Sequence, residues 1–146
     1  MSFLLDTNVL SEIRRPQPDQ QVLAWLDQVD EDRTYLSVIT IAEIARGVAL
    51  MDEGRRRNEL AQWLELDLPA RFGSRILPVD TRIALIWGNL LASTRKEGIA
   101  LSVMDGWIAA TAIAQELVLV TRNTRDFQNL PLTLLDPWLP AAGPSR

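Results

Sequence analysis

The sequence predicts an α/β protein with a central, mostly parallel β-sheet of about five short strands and helices on both faces (α/β/α). Short apolar runs alternate along the chain with longer segments whose apolar residues recur at helical spacing. This alternation is typical of βαβ units, in which consecutive strands are parallel. The 146 residues are about the size of one domain. We therefore expect one domain over residues 1–138 and a flexible C-terminal tail over residues 139–146.

Local signals place two strands and two helices in the first 39 residues. The apolar run Ser2–Leu5 predicts a strand, and it ends in Asp6-Thr7-Asn8, a typical helix start. The helix over Asn8–Arg15 is stopped by two prolines within the next three residues. Gln20–Val29 has apolar residues at helical spacing, and Tyr35–Ile39, after a charged turn, is rich in β-forming residues.

The remainder of the chain continues the alternation of helices and strands. Apolar residues on one face predict a helix over Ile41–Met51, and a second helix follows from Asp52 to about Glu65. A long amphipathic helix ends at a glycine, and the helix after it is rich in Ala and Gly. In chain order, the remaining elements are a strand at Ile76–Val79, helices at Thr81–Glu97 and Ser102–Glu116, and strands at Val118–Thr121 and Leu132–Leu135.

The composition excludes several kinds of enzyme. The chain has no cysteine and no histidine, so thiolate zinc sites, thiol nucleophiles, Ser-His-Asp triads and histidine-based ribonuclease chemistry are all excluded. Any catalysis must come from carboxylates, hydroxyls, amides, arginines or a bound cofactor. No apolar run approaches the roughly 18 residues that span a membrane. The N-terminus lacks a signal-peptide pattern, so we expect a cytoplasmic protein that does not bind membranes.

The charged residues give a mixed signal about nucleic acids. The net charge of −4 argues against a general nucleic-acid coat protein, which is expected to be basic. Arginine nevertheless outnumbers lysine fourteen to one and occurs in groups. The planar guanidinium suits phosphate, although grouped arginines are more often solvated surface residues. The arginines considered as phosphate contacts are Arg14, Arg15, Arg122 and Arg125.

Acidic residues recur where a predicted strand ends and the next helix begins. Asp6 directly follows the first strand, Glu43 comes just after the second, and Asp105 lies at the start of the Ala-rich helix. A polar segment with Asn123 and Asp126 follows the strand at Val118. In open α/β sheets, ligands sit beyond the carboxyl ends of the strands. These residues are therefore candidates for one shared site.

Each acid also has an ordinary structural interpretation. Asp6 is a possible helix N-cap, the pairs Thr40/Glu43 and Ser102/Asp105 have the spacing of capping boxes, and the segment with Asn123 and Asp126 could only shape a turn. Together, however, clustered carboxylates repel one another and favour a proton or a cation. With no sulfur or imidazole ligand in the chain, Mg²⁺ fits such a site, and Mn²⁺ is able to substitute.

Four segments of the chain resemble the PIN-domain ribonucleases, in particular the VapC/FitB-type toxins of type II toxin–antitoxin pairs. These segments are Leu5–Glu12 (LDTNVLSE), Ser37–Gly47 (SVITIAEIARG), Asp105–Ala112 (DGWIAATA) and Thr121–Phe127 (TRNTRDF). They occur in the family's order at matching strand ends. The resemblance extends from Phe3 to about Trp138, so it implies a single PIN-like domain.

The resemblance implies a Mg²⁺-dependent endoribonuclease that uses a metal-activated water and leaves a 5′-phosphate. Asp6 and Asp105 would be the main metal ligands, and Glu43 would complete the site. The fourth position is open, because relatives often have Asp where this chain has Asn123, and Asp126 is an alternative. Thr7, Asn8 and Thr121 would hold the ligands through hydrogen bonds. The four arginines named above would contact RNA phosphates.

The resemblance also implies partners. A cognate antitoxin would wrap the toxin with its C-terminal segment and obstruct the active site. The toxin would form a homodimer, and a higher assembly with the antitoxin is possible. Small residues at Gly106, Ala109, Ala110 and Ala114 permit close helix approach, which suits either a dimer interface or ordinary packing within a monomer.

Two alternative functions also use parts of this pattern. A receiver-like or haloacid-dehalogenase-like phosphate enzyme also uses acids at strand ends, but it needs a lysine at the pocket, and the only lysine is predicted at a helix end. A catalytically silent PIN-like binding module that acts through its partner protein is favoured only by Asn123. The joint presence of Asp6, Glu43 and Asp105 argues against it.

Overall fold

The computed structural model describes residues 1–140 and contains a five-stranded sheet in which every neighbouring pair is parallel. The strand order is β3-β2-β1-β4-β5. The predicted α/β class and strand number are confirmed. The strands are β1 (Phe3–Leu5), β2 (Thr34–Ser37), β3 (Ile76–Leu77), β4 (Val118–Val120) and β5 (Leu134–Leu135).

Helices cover both faces of this sheet. They are α1 (Thr7–Ile13), α2 (Gln20–Gln28), α3 (Val38–Leu50), α4 (Arg55–Gln62), α5 (Leu68–Phe72), α6 (Thr81–Lys96) and α7 (Val103–Ala114). Consecutive strand residues point to opposite faces. Leu5 and Val120 therefore pack with α1 to α5, whereas Leu4 and Leu119 pack with α6 and α7. This division gives the predicted three-layer arrangement.

The boundary between β2 and α3 differs from the prediction. The strand was expected to extend to Ile39, but it ends at Ser37, whose hydroxyl accepts a hydrogen bond from the Ile39 N–H at 3.0 Å and caps α3. The predicted capping box of Thr40 and Glu43 is therefore wrong, because Thr40 lies fully buried inside the helix. An apolar Val-Ile pair fits both a strand and the first turn of a helix, and the serine cap decides between them.

The helical region after α4 runs further than predicted. A π-helical turn at Trp63–Asp67 connects α4 directly to α5, whereas the sequence predicted an end near Glu65. The N–H of Leu68 bonds to the Trp63 carbonyl, five residues back. This shift comes just before Pro69, which has no N–H to donate. The wider turn therefore lets a proline follow without ending the helix.

The packing of α6 against α7 is close. Trp87 stacks on Trp107 with ring centroids 4.4 Å apart, and its indole N–H donates to the Val103 carbonyl at 3.2 Å. A Cβ on Gly106 would lie 2.7 Å from a Leu91 methyl and 3.1 Å from the Trp87 ring. The buried alanines of α7, Ala109, Ala110 and Ala114, also pack inside the chain. These small residues therefore serve intrachain packing and carry no argument for a dimer.

Two sequence predictions concern regions outside the core. Among the helices of residues 1–140, none has the length and apolar character needed to cross a membrane. The tail was predicted from residue 139, and its residues 141–146 lie outside the described residues.

Replacing Gly106 with alanine should destabilise the protein, by about 1–3 kcal/mol. The Leu91 methyl can move aside, but the Trp87 ring is held by its stacking partner and its hydrogen bond. Gly88→Ala in α6 is the matched control, since nothing lies within 4 Å of its added Cβ. That change should stabilise the helix by about 0.5–1 kcal/mol. Urea unfolding of both variants checks this, and a shift of the same sign in both would refute it.

Candidate functional site

The candidate site lies at the carboxyl ends of β1 and β4, where the strand order of the sheet changes direction. From β1 the chain continues to β2 and β3 on one side, while β4 and β5 lie on the other. The adjacent carboxyl ends of β1 and β4 therefore form a topological switch point, where ligands bind in open α/β sheets. Leu5 pairs with Val120, and the Asp6 N–H donates to the Val120 carbonyl at 2.9 Å. Asp6 and Thr121 thus leave their strands side by side.

Asp6 is buried, with 6% of its surface exposed, and both of its carboxylate oxygens are engaged. Oδ1 accepts from the Thr7 N–H at 2.8 Å, which makes Asp6 the N-cap of α1. Oδ2 accepts from the Thr121 hydroxyl at 2.8 Å. The helix-cap interpretation is therefore correct for one oxygen, and the second oxygen is held by the neighbouring strand end.

The hydrogen-bond direction at Thr121 follows from the groups around its hydroxyl. The oxygen accepts from the Asn8 side-chain amide at 3.2 Å and from the Asn123 backbone N–H at 3.1 Å. With both lone pairs used, the hydroxyl hydrogen is directed to Asp6. Asn8 is oriented in turn, because its Oδ1 accepts from the Arg122 N–H at 3.2 Å. Thr121 therefore holds Asp6, and Asn8 holds Thr121, through hydrogen bonds.

Glu43 joins the site through Thr7. The Thr7 hydroxyl donates to Glu43 Oε1 at 2.6 Å, so one residue contacts two acids, with its N–H on Asp6 and its hydroxyl on Glu43. The hydroxyl of Thr40, which lies in α3, is 3.3 Å from the Thr7 hydroxyl and forms a third hydrogen-bonding contact of Thr7. Sequence reasoning missed Thr40 because its spacing to Glu43 suggested a capping box instead.

Asp105 lies in the first turn of α7, half-buried, with its N–H bonded to the Ser102 hydroxyl at 3.1 Å. The Ser102 cap predicted here is present. Asp126 is exposed on the 3₁₀ turn Thr124–Phe127 and lies near enough to Asp105 to act on its charge. Asn123 is exposed and its backbone supports Thr121, while no side-chain hydrogen bond is formed by it within residues 1–140.

The electrostatics tie the acids into one cluster. Burial raises the pKa of Asp6 from its ordinary value of 3.8 to about 6. Hydrogen bonds from Thr121 and Thr7 oppose this rise, and the charges of Asp105 and Glu43 add to it. Burial also raises the pKa of Asp105, opposed by Ser102 and reinforced by the charges of Asp126 and Glu43. Asp105 therefore interacts with each of the other three acids, and Glu43 also acts on Asp6.

The donor set suits a hard cation. All the candidate ligands are oxygens, and each raised pKa marks a carboxylate whose charge lacks compensation. Across the described chain, no three acidic side chains come close enough to enclose an ion by themselves. Mg²⁺ commonly takes one or two carboxylates and completes its octahedron with water. The oxygen-only donor set therefore fits such an ion, and Asp6 and Asp105 are its candidate carboxylate ligands.

The four candidate arginines separate into two places. Arg14 and Arg15 follow the far end of α1, about 10 Å of helix away from Asp6. There Arg14 lies over the Trp63 ring and Arg15 pairs with Glu12 at 3.3 Å. Arg122 and Arg125 follow β4, on the loop that also carries Asn123 and Asp126. The guanidinium carbon of Arg122 lies 5.2 Å from the ring centroid of Trp138. Phe127 is fully buried.

Comparisons with known proteins agree with this geometry. The profile of the family described as PIN domain matches residues 3–131. The chain is 42% identical to the toxin FitB of Neisseria gonorrhoeae, over 93% of this chain and 98% of that protein. It is 38% identical to the VapC ribonuclease Y4jK of Sinorhizobium fredii, over 95% and 99%. The crystal structure of FitAcB from Neisseria gonorrhoeae superimposes with a TM-score of 0.87 at 41% identity, covering 93% and 98% of the two chains.

Asp6→Asn should stabilise the metal-free protein at neutral pH. The pKa of Asp6 is higher in the folded state than in the unfolded state, so protonation of Asp6 stabilises the fold. This contribution is complete below pH 3.8 and is lost as the pH rises through about 6. This elevation corresponds to roughly 3 kcal/mol. In EDTA, urea unfolding should show the advantage of the variant over wild type growing between pH 4.5 and 7.5. Asp32→Asn, an exposed acid before β2, controls for charge removal. A constant advantage across this range would contradict the assignment.

Proposed function

The chain belongs to the PIN-domain family, and from this premise we propose that it is a Mg²⁺-dependent endoribonuclease acting as the toxin of a toxin–antitoxin pair. Relatives named as ribonucleases support the reaction class. The single observation that carries the proposal is the cluster of mutually repelling acids at the switch point between β1 and β4. The reaction is hydrolysis of an RNA phosphodiester. Water adds to phosphorus, the bond to the 3′ oxygen breaks, and a 5′-phosphate remains.

The metal would be held by Asp6 and Asp105, with Glu43 bound directly or through water. A bound Mg²⁺ or Mn²⁺ supplies a more acidic water and stabilises charge on the phosphoryl oxygens. The protein's own part is positioning. Thr121 and Thr7 fix the carboxylates of Asp6 and Glu43 in orientations that their hydrogen bonds define. The loss of such supporting contacts typically costs about 10–100-fold in metal affinity or activity.

Asp126 is the better candidate for the fourth acidic position. Its charge raises the pKa of Asp105, so its carboxylate lies close to that of Asp105. The amide of Asn123 brings no charge, and its residue contributes its backbone to Thr121. We propose that Asp126 takes over the role that an acid at position 123 has in relatives.

An antitoxin partner and a homodimer are part of the same proposal. A solved relative at 25% identity and TM-score 0.69 is described as a toxin–antitoxin complex from Klebsiella pneumoniae. Val38, Val103 and Met104 expose apolar side chains at the starts of α3 and α7, where a second copy could cover them. Light scattering of the purified protein should give twice the 16.4 kDa of one chain. A mass of one chain would remove the homodimer from the proposal.

Purified protein should cleave total bacterial RNA in Mg²⁺ or Mn²⁺ and leave 5′-phosphate ends. Asp6→Asn, Asp105→Asn and EDTA should each reduce cleavage by at least about 100-fold, because each removes a ligand or the ion. Asp32→Asn is the matched control and should cleave at the wild-type rate. Gel analysis with end mapping measures this.

Two outcomes of this experiment would count against a metal-dependent ribonuclease. Cleavage that survives both Asp6→Asn and EDTA would show that the metal mechanism is wrong. No cleavage, together with no rise in melting temperature on adding Mn²⁺, would favour the silent binding module, since a functional carboxylate site gains stability from its ion. Asp126→Asn should lower that Mn²⁺-dependent rise more than Asn123→Ala does. The reverse order would assign the fourth position to Asn123.

A further inference from the structure

Arg122 is joined to the acid cluster through its backbone. It directly follows Thr121, and its N–H donates to Asn8 Oδ1 at 3.2 Å, while the other end of the Asn8 amide contacts Thr121. Thr121 in turn holds Asp6. The position of Arg122 relative to Asp6 is therefore set by three consecutive hydrogen bonds, none of which uses the arginine side chain.

The side chain of Arg122 is exposed but held. Its guanidinium carbon lies 5.2 Å from the centroid of the Trp138 ring. Trp138 is itself fixed, because its backbone N–H donates to Asp136 Oδ1 at 2.8 Å. Its side chain packs against the core cluster that contains Leu5 and Val120. A guanidinium over an aromatic face keeps its N–H donors at the edge free for a planar or tetrahedral anion. The residue is thus ordered before any ligand arrives.

Arg122 also keeps its charge available. Arg15, Arg71 and Arg75 form ion pairs with Glu12 or Glu31. Across the described part of the chain, no carboxylate lies within ion-pair distance of Arg122. Arg122 lies on the same loop as Asp126, so its charge offsets part of the repulsion that a phosphodiester would meet on approaching the acids.

We infer that Arg122 binds a phosphate of the RNA strand next to the acid cluster, and that Trp138 positions its guanidinium. This inference rests on the proposed function, since it concerns the same substrate. Trp138 is a positioning residue that lies sixteen positions away from Arg122 in sequence and outside all four family-like segments. The competing interpretation is that Arg122 only covers the exposed face of the tryptophan.

The test is the salt dependence of RNA binding. A fluorescein-labelled single-stranded RNA is titrated with the protein in EDTA, which stops cleavage, over a range of KCl concentrations, with anisotropy as the readout. Arg122→Ala leaves the backbone bond to Asn8 in place. It should weaken binding about tenfold and flatten the slope of log K against log salt by about 0.7, the value for one lost phosphate contact. Arg122→Lys should keep the slope. Arg33→Ala, an exposed arginine before β2, is the charge-matched control.

A double-mutant cycle tests the role of Trp138. Trp138→Leu should weaken binding several-fold in the wild-type background and leave the slope unchanged, because the charge remains but is no longer held. In the Arg122→Ala background the same change should have no further effect. Trp138→Phe, which keeps an aromatic face, should restore most of the affinity.

The outcomes separate this inference from the proposed function. Wild-type binding that Arg122→Ala leaves unchanged in affinity and slope overturns the inference alone. A Trp138→Leu loss that is equal in both backgrounds overturns the positioning role, since the tryptophan would then act independently of the arginine. Absence of RNA binding by the wild-type protein in EDTA at low salt also overturns the inference alone, because the proposed function is judged by cleavage in the presence of Mg²⁺.

Discussion

The rest of the site depends on one buried carboxylate, that of Asp6. A three-residue strand delivers it to the switch point, where water is largely excluded and its charge is costly. Two hydrogen bonds, from Thr7 and Thr121, lower that cost without removing it, as the elevated pKa shows. Nearby acids add repulsion. The neighbouring polar residues are arranged to hold a charge that burial disfavours, which is typical of functional sites.

The sequence predicted the layers of the fold more reliably than its boundaries. Helical periodicity and short apolar runs are local signals, so the existence and type of most elements followed from them. The start of α3 depended on competition between strand and helix for Val38 and Ile39, which the Ser37 cap resolved. The continuation through Pro69 depended on a π turn, for which the sequence carries no simple signal. Strand order was also beyond local reasoning, because it is set by packing between distant segments.

The acids of the candidate site could be predicted from the sequence, because strand ends in a parallel sheet share an edge. The helix-cap interpretation of Asp6 accounts for only one of its oxygens, since Oδ1 accepts from Thr7 and Oδ2 accepts from Thr121. The contacts of Thr40 and Trp138 were not predicted. Each depends on tertiary contacts, with Thr7 in one case and Arg122 in the other, that no spacing in the sequence reports.

Proton release on metal binding tests the central claim most directly. Calorimetric titration of the metal-free protein with Mn²⁺ at pH 6, in two buffers of different ionisation enthalpy, counts the protons displaced. Because the pKa of Asp6 is about 6, binding should release about half a proton or more per ion at pH 6. The release should fall towards zero at pH 8. Binding without buffer dependence at pH 6, or no binding at all, would contradict the account of Asp6 as a buried carboxylate that a divalent cation neutralises.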